Sequence, residues 1–246
     1  MKQKILIVTF LLVGVCATLP AQVDNKIPRL RISTSGGMGY LTAKGKENMD
    51  GFINKEKINQ LEDDLRWATH LNGDIHYLFR WGLGIGAKYI FHKTSGKAEG
   101  VITNYMEVSD YLQQPHYTVT DMSEKDYINY LGLSLAAISP IGNSEKLFLT
   151  SSYSAGYMRW RSEASLFYQN LLTTGGNVAM NAEIGLDYLF HPNLGIGANL
   201  GAFLGYINKT KITDGITTQE QKLDKESRYN ASNIHLTLGL RYYLNR

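Results

Sequence analysis

The sequence predicts an all-β fold, namely an eight-stranded antiparallel up-and-down transmembrane β-barrel formed by one domain, residues 22–246. Three observations predict it: a hairpin sequence that occurs twice, eight segments in which apolar and polar residues alternate, and connections that alternate between short and long. The composition agrees, because 16 Tyr and 24 Gly with only 5 Pro favour strands and turns over helices.

Residues 1–21 have the pattern of a signal peptide. Lys2 and Lys4 precede an apolar run, residues 5–15, that is too short to span a bilayer, and Leu19-Pro20-Ala21 fits a cleavage site. The one cysteine, Cys16, lies inside this segment, so the mature chain has neither disulfide nor thiolate chemistry. No run of 18 apolar residues follows, and no transmembrane helix is predicted.

The repeated sequence occupies residues 76–89 and 187–200. Both copies contain Tyr-Leu-Phe, three further residues, and then Leu-Gly-Ile-Gly-Ala. Each copy predicts a strand, a tight turn and a second strand in which glycine alternates with large apolar residues. Nothing after the glycines predicts a helix, so a phosphate-binding loop is excluded. A hairpin that recurs in one chain predicts hairpins arrayed in one closed sheet.

Eight segments alternate with a period of two residues, and each is long enough for a tilted membrane crossing of about ten residues. The connections after the second, fourth and sixth segments are short, whereas residues 43–65, 95–125, 161–176 and 208–231 form long polar ones, which predicts short periplasmic turns and long outer loops. In the first long loop, the spacing of Ile58, Leu61 and Leu65 predicts a short helix. The predicted strands are residues 29–42, 66–80, 82–94, 126–139, 146–160, 177–191, 193–207 and 232–245.

The aromatic residues decide which face of the barrel meets lipid. A soluble lipocalin-like container would turn the apolar face inward. Here aromatics stand at both ends of the apolar face, as they do at two membrane–water interfaces, and the opposite face carries many glycines, which suit a narrow lumen. The apolar face is therefore predicted to face lipid. The predicted outer belt is Tyr40, Trp67, Tyr89, Phe91, Tyr127 and Tyr157, and the predicted inner belt is Tyr77, Phe79, Tyr188, Phe190 and Tyr242.

The lumen face carries three residues of each charge sign. Because buried charges are costly unless they are paired, these residues predict a charge-balanced plug; a gated ion path or proton relay is the alternative. His70 and His76 share this face with Asp74 and form a candidate metal or catalytic set, but hydrogen-bonded lumen histidines are predicted, with no metal, cofactor or catalytic residue. The predicted lumen network is Arg31, Asp74, Lys88, Glu183, Asp187 and Arg241.

The last strand carries the most specific motif. Its polar residue Thr237, then Gly239 and the hydrophobic Tyr242 and Leu244, have the spacing of an assembly signal. With this motif the chain resembles the small outer-membrane β-barrel proteins of Gram-negative bacteria, the OmpA/OmpX type often labelled porin-family. The resemblance implies an outer-membrane location, contact with outer-membrane lipid and insertion by the barrel-assembly machinery. The chain departs from the pattern by running on to Asn245-Arg246, and the resemblance implies no one activity.

The predicted function is non-enzymatic: a structural or surface-binding role through four long outer loops, with at most a narrow channel. Ser151 and Tyr153 face lipid without a nearby base, which argues against catalysis, and the near-neutral charge argues against nucleic acid. An accessory barrel of a secretion or transport system, a lipid-modifying enzyme and a soluble carrier of apolar ligands are the alternatives. Tyr105, Tyr111 and Tyr117 are the predicted loop contacts, because aromatic residues anchor interfaces.

Overall fold

The computed structural model describes residues 27–42, 53–105, 116–142, 144–166, 169–213, 215, 217–224 and 228–244. The predicted signal peptide and Tyr111 lie outside these residues. One helix, α1 (Lys55–Leu65), lies between the first two strands. The strands are β1 (Leu30–Leu41), β2 (Trp67–Leu78), β3 (Leu83–Tyr105), β4 (His116–Pro140), β5 (Leu147–Leu166), β6 (Gln169–Leu189), β7 (Leu194–Ile207), β8 (Lys209–Thr213), β9 (Thr218–Lys222), β10 (Tyr229–Asn230) and β11 (Asn233–Leu244).

Eight of these strands close into a ring. Strands β1 to β7 pair in sequence order, and β11 pairs with both β7 and β1, always antiparallel. The closed ring confirms the predicted eight-stranded up-and-down barrel, and closure pairs the main-chain groups that a sheet edge would leave open. Outside the ring, β8 pairs with the outer part of β6, and β10 pairs with the outer part of β7. Strand β9 pairs with β8.

The two faces of the ring have opposite chemistry. On β11, Leu236 and Leu238 are 58% and 67% exposed, whereas the alternate residues His235 and Thr237 are buried. The same alternation runs through the other ring strands, and exposed aromatics stand at both ends, such as Trp67 at one end and Phe190 at the other. The apolar face is thus outside, as predicted for a transmembrane barrel, and the inverted arrangement of a soluble container is not the one observed.

The repeated sequence forms two equivalent hairpins, β2–β3 and β6–β7, at the short-turn end. In the first, the Phe79 N–H donates to the Leu83 carbonyl at 2.7 Å, and Gly82 adopts φ +88°, which a glycine reaches without a steric penalty. In the second, the His191 N–H donates to the Leu194 carbonyl at 3.1 Å. Both copies therefore close the same end of the barrel with a tight connection, although the hydrogen bonds of the two turns join residues at different spacings.

The predicted loops 95–125 and 161–176 are wrong in large part, because β3–β4 and β5–β6 continue as paired strands far beyond the outer belt. The apolar alternation ends there, but the main-chain ladder does not need it, since polar residues such as threonine also suit strands. The predicted strands are therefore too short at their outer ends. The predicted short helix is confirmed as α1, whose Ile58 and Leu61 pack against Ala98, Val101 and Met122 of the extended hairpin.

Apolar clusters lie at both ends of a polar interior. A base cluster stands at the short-turn end, and an outer cluster fills the opposite half beside β3 to β7. In the described part of the chain, no helix is both long enough and apolar enough to cross a membrane. The base cluster is Leu78, Ile138, Phe148, Leu189 and Tyr243, and the outer cluster is Ile90, Ile128, Tyr130, Met158, Trp160, Ala179, Phe203, Ile207 and Ala231.

Candidate functional site

The polar interior begins above the base cluster with a network centred on Asp187. This carboxylate, at the inner end of β6, lies 2.9 Å from Arg241 Nε and 3.0 Å from Arg31 Nη2, and Tyr243 donates its hydroxyl to it at 2.5 Å. Arg31 also reaches Asp74 Oδ1 at 2.7 Å and so joins two carboxylates. All of these groups are buried, and each charge faces an opposite one, which is the condition for holding ions away from water.

Lys88 links this network to a second group of residues nearer the outer end. Its Nζ lies 2.5 Å from Glu183 Oε2 and 3.9 Å from Asp74 Oδ2. The structure therefore brings all six predicted lumen charges into one connected set, three of each sign.

Glycines on the facing strands make the space that these long side chains occupy. A Cβ at Gly197 would overlap Asp187 Oδ1 and stand 2.7 Å from Arg241 Nε. A Cβ at Gly201 would overlap His235 and stand 2.6 Å from Glu183 Cγ. A real Cβ atom essentially never stands within 3.0 Å of such a neighbour, so glycine at these two positions is what allows the interior residues to fit.

A histidine cluster stands above Lys88. The rings of His70 and His235 stack with centroids 4.0 Å apart, and His92 Nδ1 lies 3.4 Å from His70 Nδ1. His235 Nε2 is 3.3 Å from Glu183 Oε1. We call His70, His92, His235 and Glu183 the upper cluster; each of its members is at most 4% exposed.

The candidate set of His70, His76 and Asp74 is divided between two levels. His76 lies in the lower network, with Nδ1 3.0 Å from Asp74 Oδ1 and Nε2 2.9 Å from Ser134 Oγ. His70 instead joins His92 and His235. The alternation predicts that all four histidines face inward, but their common level depends on strand register, which the sequence does not contain.

A small cavity lies inside the barrel. A cavity of about 10 Å³, with Arg31, Asp74, Leu78 and Thr150 among its lining residues, lies near the base cluster. This volume holds roughly one water molecule. At this cavity the charged residues Arg31 and Asp74 are packed with room for about one water molecule.

At the outer mouth, just beyond the Tyr127 belt position, a buried carboxylate pairs with a partly buried phenol. Tyr229 donates its hydroxyl to Asp126 Oδ2 at 2.8 Å. Burial raises the pKa of the Asp126 carboxyl above its ordinary value, because the ionised form loses solvation. Burial also raises the pKa of the Tyr229 hydroxyl.

The remaining predicted site residues lie on β11 and at the hairpin tips. On β11, Thr237 is buried in the lumen and Tyr242 is 37% exposed on the lipid face. Leu244 pairs with Leu30 at the short-turn end of the barrel, and Gly239 pairs with Ser35 nearer its middle. The residues of the predicted assembly signal therefore lie along β11, the strand that closes the barrel. Tyr105 and Tyr117 belong to the paired outer ends of β3 and β4. Their roles in assembly and in loop contacts stay predictions.

Comparison with solved structures supports the fold. Outer membrane protein OprG from Pseudomonas aeruginosa superposes with a TM-score of 0.51 at 10% identity, over 90% of this chain and 98% of that one. A major outer membrane protein from Thermus thermophilus gives 0.46 at 12% identity, over 87% and 98%, and Neisserial surface protein A gives 0.45 at 12%, over 87% and 97%. No protein-family model and no curated protein matches the sequence. The chain has the fold of a small outer-membrane β-barrel protein.

Proposed function

We propose that this protein is a non-enzymatic outer-membrane barrel that does not conduct solutes and that holds a rigid recognition surface outside the membrane. The observation that supports it is the combination of a filled interior with a folded outer extension. A filled barrel is suited to a scaffold, and recognition commonly lies on segments that a rigid scaffold positions.

The interior argues against a channel. Between the base and outer clusters, the six lumen charges pair with one another, and hydrogen bonds bind them to neighbours such as Ser33 and Ser35. A permeating ion would have to separate buried ion pairs, and breaking such a pair costs about 3–5 kcal/mol. That cost opposes the continuous path that conduction needs.

The outer extension argues for recognition. From Phe91 at the outer belt to Tyr105, β3 continues for roughly 45 Å of strand path. α1 covers part of this extension, because Ile58 and Leu61 are buried against it. Its outer surface carries charges of both signs, including the exposed Arg161–Glu163 pair. The extension is therefore a packed element rather than a set of separate loops.

The positions of the histidines argue against a lipid-modifying enzyme. The four strand histidines whose side chains the structure describes, His70, His76, His92 and His235, are all buried in the lumen. A lipid-facing hydroxyl such as that of Tyr153 thus has no described histidine beside it on the lipid side to act as its base.

Conductance in planar lipid bilayers tests the sealed interior. The refolded protein should give no discrete current steps, whereas a porin added to the same bilayer as a positive control should. Steady single-channel currents from the refolded protein would contradict the proposal.

Attachment of cells to coated plates tests the recognition surface. In one variant an Asn-Gly turn replaces residues 104–117 between the paired Thr103 and Thr118, which removes the predicted tyrosine contacts but keeps the residues that α1 packs against. The matched control replaces residues 214–217 between the paired Thr213 and Thr218. On plates coated with heparin, only the first variant should lose attachment. Equal attachment by both variants and the unaltered protein would count against the outer hairpin as the contact surface.

A further inference from the structure

The upper cluster contains buried ring nitrogens that the hydrogen-bond network does not satisfy. His70 and His92 are only 0% and 2% exposed, and the Nε2 atom of each ring is buried without a hydrogen-bond partner. A buried polar atom without a partner costs about 1–3 kcal/mol, so two of them in one cluster need a physical reason. The lower network, by comparison, satisfies both ring nitrogens of His76.

The hydrogen bond of His235 Nδ1 determines which ring nitrogen carries the proton. His235 Nδ1 lies 3.2 Å from Asn233 Oδ1, an atom that only accepts hydrogen bonds, so we infer that Nδ1 carries a proton and donates it. In a neutral ring Nε2 then presents a lone pair, and that lone pair faces the carboxylate oxygen Glu183 Oε1 at 3.3 Å. Two electron-rich atoms face each other, so a positive charge must lie between them: either a second proton on the His235 ring, which then donates to Glu183, or a bound cation.

His70 shows the same arrangement. Its Nδ1 lies 3.4 Å from His92 Nδ1, and its Nε2 is left without a partner. If Nδ1–H donates to His92, the His70 lone pair lies on Nε2. In metal sites the second ring nitrogen of a ligand histidine is commonly held by a hydrogen bond in this way, which fixes the tautomer that binds the ion. Both His70 and His235 therefore have one nitrogen held and one nitrogen available.

The distances fit a tetrahedral ion. With metal–ligand bonds of about 2.0–2.1 Å, two ligand atoms of a tetrahedral zinc site stand about 3.3 Å apart. The His235–Glu183 separation of 3.3 Å already has this length, and the ligand atoms of His70, His235 and Glu183 all lie within 4.8 Å of one another. The His70 and His235 rings are stacked with their planes 12° apart, so the His70 ring must turn as well as shift for the two lone pairs to converge on one ion.

Glu183 can serve the ion without leaving its lysine. Lys88 contacts Oε2, whereas His235 faces Oε1, so the two carboxylate oxygens have separate partners. Asn72 and Asn181 both donate amide N–H groups to Oε1, at 3.3 and 3.0 Å, and hold the carboxylate in place. The buried side-chain oxygens of these two residues, Asn72 Oδ1 and Asn181 Oδ1, have no hydrogen-bond partner.

We propose that His70, His235 and Glu183 bind one transition-metal ion of the zinc class, Zn²⁺, Cu²⁺ or Ni²⁺, inside the sealed barrel. Two imidazole nitrogens and one carboxylate oxygen are a ligand set that these ions accept, whereas Mg²⁺ and Ca²⁺ prefer oxygen ligands alone. His92 holds the His70 ring from the other side. Because His70, His235 and Glu183 are each at most 4% exposed, the ion enters while the barrel closes and is then retained.

Metal content after refolding tests the proposal. The full chain is refolded in detergent with ZnCl₂, treated with excess EDTA, separated by gel filtration and analysed for zinc by mass spectrometry. We expect about one zinc ion per folded chain. Less than about a tenth of an ion per chain, in protein that shows the heat-dependent gel shift of a closed barrel, would overturn the proposal.

Matched variants locate the site. His70→Gln and His235→Gln should lower the retained zinc at least tenfold, whereas His76→Gln, which changes an equally buried lumen histidine of the lower network, should retain it. His191→Gln, at the exposed turn, is the surface control and should also retain zinc. Equal zinc in all four folded variants, or equal loss in all four, would refute the assignment to the upper cluster.

A spectroscopic measurement on the unaltered protein keeps the proposal testable if a variant does not fold. Refolding with Cu²⁺ in place of Zn²⁺ should give an electron paramagnetic resonance spectrum with hyperfine splitting from two imidazole nitrogens. A spectrum of copper bound by oxygen alone would rule out the histidine site.

Discussion

Replacing Arg241 with alanine should lower the free energy of unfolding by about 3–5 kcal/mol, because the change removes one partner of a fully buried ion pair. Arg241 is 0% exposed, and its Nε lies 2.9 Å from Asp187 Oδ1. Its guanidinium also donates to Ser35 Oγ at 2.7 Å and to Asn199 Oδ1 at 3.1 Å. Alanine would leave these acceptors without their donor and change the balanced set of six lumen charges to a net charge of −1.

The remaining partners of Asp187 place the effect near the lower end of that range. Arg31 Nη2 stays 3.0 Å from Asp187 Oδ2, and the Tyr243 hydroxyl continues to donate to the same oxygen. The carboxylate therefore keeps part of its compensation, and a loss of about 3 kcal/mol is expected.

Reversible denaturant unfolding in phospholipid vesicles, followed by tryptophan fluorescence and by gel mobility, measures this loss. Arg161→Ala is the matched control, since Arg161 pairs with Glu163 at 2.5 Å with side chains 53% and 41% exposed. An exposed pair contributes about 0–1 kcal/mol, so this control should unfold close to the unaltered protein. Arg241→Ala protein that unfolds within about 1 kcal/mol of the unaltered protein would refute the role of the lumen network in stability.

Three further changes test the packing and the outer mouth. Gly197→Val should prevent the heat-resistant gel form, because its side chain would overlap Asp187, whereas Gly73→Ala, whose Cβ would stand 3.6 Å from its nearest neighbour, should fold. Burial raises the pKa of Asp126, so the carboxyl stabilises the fold when it is protonated at low pH, and this contribution is lost as the pH rises. At pH 7 the Asp126→Asn variant should therefore unfold at a higher denaturant concentration than the unaltered protein. Below pH 3.8, the ordinary pKa of an aspartate, the two proteins should unfold at the same concentration. Leu61 is 2% exposed, so Leu61→Ala should lower the free energy that holds α1 against the barrel by about 2–5 kcal/mol and let trypsin cleave at Lys55 and Lys57. Ile53 is 51% exposed, and Ile53→Ala should not increase this cleavage.

The period-two alternation was enough to predict the ring, because burial on one face is what distinguishes a membrane strand. Ile234, Leu236 and Leu238 alternate with lumen residues in the sequence and do so in the structure. The alternation was not enough to predict the strand ends. Beyond Lys93 the ladder of β3 continues with polar residues on the outer face, and a pattern based on apolar residues no longer marks it.

The sequence by itself determined the strand number, the lipid-facing side and the identity of the six lumen charges, because these depend only on parity along each strand. Which charges meet was decided by register, since the Arg31 contact with both Asp74 and Asp187 joins β1 to β2 and β6. Register also separated His76 from His70 and brought His70 beside His235, although the two are 165 positions apart in the sequence. The alternation in the sequence determines which face of the sheet a side chain occupies. Its position along the barrel axis is fixed only by the register of the closed sheet, and that position determines which side chains it contacts.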